Sequence, residues 1–179
     1  MFRDSFLRWQ IKLSFMYKLV LRLDVGSTAE DFTLESPDGE PFSLRDVMGG
    51  SIIFLTFFRG GFDAESVKYL KELNSAYDRL KDMGVEVIAI TPEMPQKARG
   101  LVDSLSLKFK VLCDPEMKVV RQYDVYDPVS EWCWPAGFLI DRDGTIQYVF
   151  RGVSPPNTPP IRYILKKIEG AYALSLKPG

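Results

Sequence analysis

The chain contains no histidine. That removes histidine-based nucleophile triads, imidazole general bases and nearly every common catalytic zinc arrangement. Its two cysteines cannot build a disulfide-dense secreted scaffold or a four-cysteine zinc site, and no metal or cofactor is expected. With 23 basic against 24 acidic side chains the net charge is −1, so no nucleic-acid surface spread over the whole body is expected. What is present is 179 residues, 46% of them hydrophobic and 13% aromatic. That length suits one domain able to bury its core without staples. The expectation is a cytoplasmic chain whose chemistry comes from thiols, carboxylates, hydroxyls or lysines.

Residues 1–25 differ from the rest. Arg3, Arg8, Lys12, Lys18 and Arg22 oppose only Asp4 and Asp24, a net +3 that leaves −4 on the remainder. No uninterrupted apolar stretch of about 18 residues occurs in this segment, so a membrane-spanning helix is not expected. Charges break the apolar run and no small-residue cleavage site follows it, so a secretory signal is not expected either. Trp9, Ile11, Leu13, Phe15, Tyr17, Leu19, Leu21 and Leu23 fall on alternate positions, a period of two that favours an extra strand or hairpin. A basic interfacial helix beginning near Ser5, and Met16 as the natural start, stay open as alternatives.

From Gly26 onward strand and helix signals alternate. Phe32–Leu34, a Ser36–Gly39 turn and Pro41–Leu44 predict a small hairpin. Ile52–Phe58 is a continuous apolar run, as in a strand covered on both faces. Asp63 to about Met83 predicts a helix with an apolar stripe through Val67, Leu70, Leu73, Tyr77 and Leu80, ended by Gly84. Val85–Ile90 reads as a second buried strand, Lys97–Leu105 as a helix, Phe109–Leu112 as a strand and Met117–Tyr123 as a short helix. Phe138–Asp141 and Thr145–Phe150 form a hairpin around Arg142-Asp143-Gly144. Ser154–Pro160 is expected to be extended and Ile161–Ala173 a closing helix. This order predicts a thioredoxin-like three-layer α/β/α sandwich with a mixed central sheet over residues 26–174, preceded by the 1–25 extension.

Four motifs then converge in order. Val25–Leu34 resembles the Gly…Ala-Pro-Asp-Phe-x-Leu opening of peroxiredoxins and their relatives. Phe57–Phe62 resembles the approach to the active site in the alkyl hydroperoxide reductase / thiol-specific antioxidant (AhpC/TSA) family, in the subgroup reading Phe-Tyr-Arg-Gly-x-Trp-Cys-Pro-x-Cys. Cys113-Asp114-Pro115 and Pro135–Asp141 resemble two later blocks of that family. The resemblance spans roughly Gly26 to Ala171 and implies the thioredoxin fold and thiol-based antioxidant, oxidoreductase chemistry. The chain departs from the pattern where that chemistry resides. Asp63 stands at the position of the family's peroxidatic cysteine and Ser66 at that of the subgroup's second cysteine. Glu30 replaces a proline and Phe62 a tryptophan.

A peroxidatic thiol works at the first turn of a helix, where unpaired N–H groups and the helix dipole hold the thiolate. It must also be able to become a sulfenic acid, which a carboxylate cannot do. Aspartate is nonetheless among the best N-cap residues, so Asp63 is expected to cap the helix, with Glu65 a second acid in its first turn. A binding or acid–base role for Asp63 stays open beside it. The resemblance puts Arg59 beside the active site, while the residues themselves favour an ion pair with Asp63 or Glu65.

Cys133, between Trp132 and Trp134, precedes Pro135. The resemblance implies that Pro135 is cis and that this loop lies near Asp63, which makes Arg59, Phe62, Trp134 and Pro135 candidate binding residues. Each cysteine reads first as a small buried apolar side chain. A Cys113–Cys133 disulfide and a displaced redox-active thiol at Cys133 are the alternatives.

The leading functional reading is a peroxiredoxin-like protein without peroxidase activity, serving as a binding or accessory module for an unknown protein or small-molecule partner. The alternative is a thiol oxidoreductase using Cys133, with or without Cys113. Homodimerisation through Trp132, Trp134 or the N-terminal segment, and membrane-surface attachment by that segment, complete the candidates.

Overall fold

The structure is a computed structural model that describes residues 22–175, with side chains placed to residue 170. The strand or helix expected before Arg22 lies outside the described residues.

Strands β1 (Thr33–Glu35) and β2 (Pro41–Ser43) form the first hairpin, followed by one 3₁₀ turn. Then come β3 (Ile52–Phe57), α1 (Ala64–Asp82), β4 (Val85–Thr91), α2 (Pro95–Leu105), β5 (Lys110–Cys113) and α3 (Lys118–Gln122). The chain continues through β6 (Tyr126–Asp127), β7 (Trp132–Cys133), β8 (Ala136–Ile140), β9 (Ile146–Arg151) and α4 (Ile161–Ser175). Seven strands make one mixed sheet in the order β2-β1-β5-β4-β3-β8-β9, and β6 and β7 pair separately. Strands β3, β4 and β5 run parallel, joined by the helical crossovers that parallel pairing requires. Strands β1 and β8 add to them antiparallel. The expected thioredoxin-like sandwich is therefore the observed one.

Every residue of β3 is buried because both faces of the sheet are covered. Ile53, Leu55 and Phe57 point into one core with Tyr123 and Phe138, while Ile52 and Phe54 point into the other with Leu70, Leu73 and Ile164. The first core includes Leu23, and the Asp124 carboxylate accepts the N–H groups of Arg22 and Leu23 at 2.7 and 3.3 Å. Residues just before Gly26 are thus bound to the body. Leu70 and Leu73 are fully enclosed, so truncating either to alanine costs about 2–5 kcal/mol.

Two local expectations need correction. Ser154–Pro160 is not extended throughout: Asn157 N–H donates to the Ser154 carbonyl at 3.0 Å, and the Asn157 Oδ1 accepts from Val153 N–H at 3.2 Å. The asparagine side chain supplies a local turn that the proline count conceals. The β6–β7 hairpin was not anticipated, since two-residue strands carry no periodicity. Its turn is organised by Asp127, whose carboxylate accepts from Val129 N–H, Ser130 N–H and Ser130 Oγ at 2.9, 3.2 and 2.5 Å.

Candidate functional site at the start of α1

The C-terminal ends of β3 and β4 open on one edge of the sheet, where ligands of open α/β sheets commonly bind. There the chain leaves β3 through Phe58, Arg59, Gly60, Gly61 and Phe62, then enters α1. Asp63 is the N-cap, with extended backbone and with Oδ2 accepting the Ser66 N–H at 3.1 Å and the Ser66 hydroxyl at 2.6 Å. The Ser66 Oγ in turn accepts the Arg59 N–H at 3.1 Å. Asp63 and Ser66 are therefore bonded to each other, and Ser66 is buried.

Arg59 does not pair with Asp63 or Glu65. Its Nη1 donates to the Cys133 carbonyl at 3.2 Å, and its own carbonyl accepts the Trp132 Nε1–H at 2.7 Å. The short β7 strand brings that carbonyl within reach. The loop of Cys133 accordingly lies beside the start of α1. Phe62 is 64% exposed and meets the Trp132 ring edge-on, 5.8 Å between centroids at 73°. Trp132, rather than Trp134, supplies the aromatic ring there. Trp134 contributes a main-chain N–H to the Val125 carbonyl at 2.8 Å.

The Trp134–Pro135 bond is trans, contrary to the cis form that the resemblance implied; no cis bond occurs among the described residues. Trans is the favoured isomer by about 0.5–1 kcal/mol, and in it the Pro135 carbonyl accepts the Gly152 N–H at 2.7 Å. Cys113 and Cys133 are both free and buried. No disulfide joins them, because Cys113 lies on β5 while Cys133 packs against the end of β3, with β4 between.

Burial raises both thiols above their ordinary range. Burial pushes Cys133 up to about 12, outweighing the Arg59 guanidinium that favours its thiolate, and its Sγ–H donates to the Phe58 carbonyl at 3.4 Å. Burial, with Glu93 and Glu35 nearby, pushes Cys113 up to about 11. Neither cysteine begins a helix, so neither gains the helix-start N–H groups that activate thiols. Among the described residues no group of three or more histidine, cysteine or carboxylate side chains could hold a metal ion.

One site residue escaped the sequence reading. Glu93, just past the end of β4, is 7% exposed, and its Oε2 accepts the Gly61 N–H at 3.0 Å. An acid two residues beyond the end of a buried parallel strand was the available signal. Gly60, at φ +132°, lies so close to it that a β-carbon there would stand 2.5 Å from the Glu93 Cδ.

The sheet order, the crossovers and the helix start after β3 define a thioredoxin-like protein. More particularly, the chain belongs to the AhpC/TSA family, which it matches over residues 25–149. It is 30% identical over 126 residues to a thiol-disulfide oxidoreductase ResA of Bacillus thuringiensis, covering 70% of this chain and 68% of that one. It is 29% identical over 134 residues to the peroxiredoxin Bcp of Escherichia coli, covering 72% of this chain and 85% of that one. The crystal structure of Enterococcus faecalis AhpC superposes with a TM-score of 0.75 at 17% identity, covering 84% of this chain and 93% of that one. No described helix is long and apolar enough to cross a membrane.

Proposed function

We propose that this AhpC/TSA protein does not reduce peroxides and instead uses the rim around the start of α1 as a binding surface, making it an accessory module. The observation that carries this reading is the Asp63–Ser66 pair. The carboxylate oxygen takes up two donors at the helix start that a thiolate would otherwise use, one of them a main-chain N–H. A carboxylate held there stabilises the helix but offers a peroxide no polarisable nucleophile. The surrounding frame supports retention of the surface: Arg59 is tied to the Cys133 and Trp132 segment, and Phe62 is left exposed beside Trp132.

The reading is tested by hydrogen peroxide reduction with dithiothreitol as electron donor, followed by mass spectrometry of both cysteines. The expected result is no consumption above the dithiothreitol background and no sulfenic acid. Turnover by the wild-type protein that disappears in Cys133→Ser would replace this reading with the thiol oxidoreductase alternative.

A further inference from the structure

Beside the start of α1 lies a cavity of about 310 Å³ lined by Phe62, Pro92, Glu93, Met94, Lys97 and Trp132. Its walls are mainly apolar, yet Glu93, a residue only 7% exposed, brings a carboxylate. Among the described residues that carboxylate takes one hydrogen bond, from the Gly61 N–H, and makes no ion pair. Lys97 shares the wall but stands in solvent, outside ion-pair distance of it. A buried carboxylate without a cationic partner is costly and persists where another requirement retains it. Two aromatic rings flank it, set nearly at right angles, and Phe62 and Met94 are 64% and 59% exposed at the rim.

We propose that this cavity receives the guanidinium of an arginine side chain presented by a partner polypeptide, an inference that rests on the binding-module reading above. A planar, weakly hydrated guanidinium can stack on an aromatic face while donating to a carboxylate, which a compact, strongly hydrated ammonium does less well. The aliphatic stem of arginine matches the Pro92 and Met94 wall. The exposed rim formed by Phe62 and Met94 gives residues flanking that arginine an apolar surface to cover, which a small free cation would leave bare. Binding would supply the missing counter-charge to Glu93.

The test titrates the full chain with a capped Gly-Ala-Arg-Ala-Gly peptide, following the amide signal of Gly61 and the indole N–H of Trp132 by NMR. Saturable shifts at both are expected, and none with the peptide in which neutral citrulline replaces arginine. Glu93→Gln should weaken binding at least about tenfold, as loss of a charge-assisted hydrogen bond implies. Phe62→Ala changes an exposed side chain and so keeps the fold; it should weaken binding about threefold, the scale of an exposed cation–π contact. Equal binding of the citrulline peptide, no saturable shift with the arginine peptide, or a Phe62→Ala protein that binds unchanged would each overturn the proposal. So would bare guanidinium ion binding as tightly as the peptide, since the chain would then add nothing. Peroxide turnover by the wild-type protein would instead remove the reading beneath it, and the two failures are measured separately.

Discussion

Asp63 and Ser66 are joined twice across the first turn of α1, once through the Ser66 N–H and once through its hydroxyl, both on the same carboxylate oxygen. This makes Asp63 a side-chain cap at the first turn of α1.

If the cap is what Asp63 contributes, Asp63→Ala should lower stability by about 1 kcal/mol in urea denaturation. Asp63→Asn, which caps comparably, should cost only a few tenths of that. An alanine variant as stable as wild type would remove the capping role.

Cysteine at this position tests whether the helix start can still activate a thiol. In Asp63→Cys the thiol pKa, read from the pH dependence of thiolate absorbance or alkylation, should fall below about 8.5. Peroxide consumption should then rise above that of wild type. An ordinary pKa with an inert thiol would show that Ser66, Arg59 and their neighbours no longer favour an anion there.

The two natural cysteines should resist alkylation by iodoacetamide at pH 8 in the native protein and react at once in denaturant. Burial raises both thiols, to about 11 for Cys113 and about 12 for Cys133, from the ordinary value of 9. Between 9 and those values the unfolded state has released protons that the folded state still holds, so stability falls as pH rises. The thiol contribution is fully present below pH 9 and is lost through pH 11 to 12. Urea midpoints measured from pH 8 to 11 should decline, and less steeply in Cys113→Ala. A flat profile would contradict the burial argument.

Gly60 should tolerate no side chain. Its positive φ is strained for alanine, and the new Cβ would meet Glu93. Gly60→Ala should therefore cost on the order of 1–3 kcal/mol in thermal or urea unfolding. Gly61→Ala keeps the N–H that Glu93 accepts and brings its Cβ no closer than 3.4 Å to Leu101, so it should be far milder. Equal costs would mean that the Glu93 contact does not constrain this loop.

Much of the fold was legible because its signals are local. An all-apolar β3, the stripe of α1 and the Arg142-Asp143-Gly144 turn each declare an element within a few residues, and alternation of elements leaves few topologies. The N-cap at Asp63 was equally visible, since capping depends on one side chain and the next turn of backbone. Arg59 was harder. Two acids close in sequence suggested an ion pair, but its partners are carbonyl and indole groups more than 70 residues away. Glu93 offered only its place past a buried strand, since its partner Gly61 lies across a helix and a strand.

The order of residues was thus enough to establish an α/β sandwich and to place a carboxylate, Asp63, at the start of α1, because helix starts and strand periods are short-range properties. Which side chains surround that start, that Cys113 and Cys133 stay apart and protonated, and that Glu93 lies buried beside two aromatic rings were settled by tertiary packing. Those facts depend on strand order and loop geometry, which bring distant segments to one edge of the sheet and remove them from water.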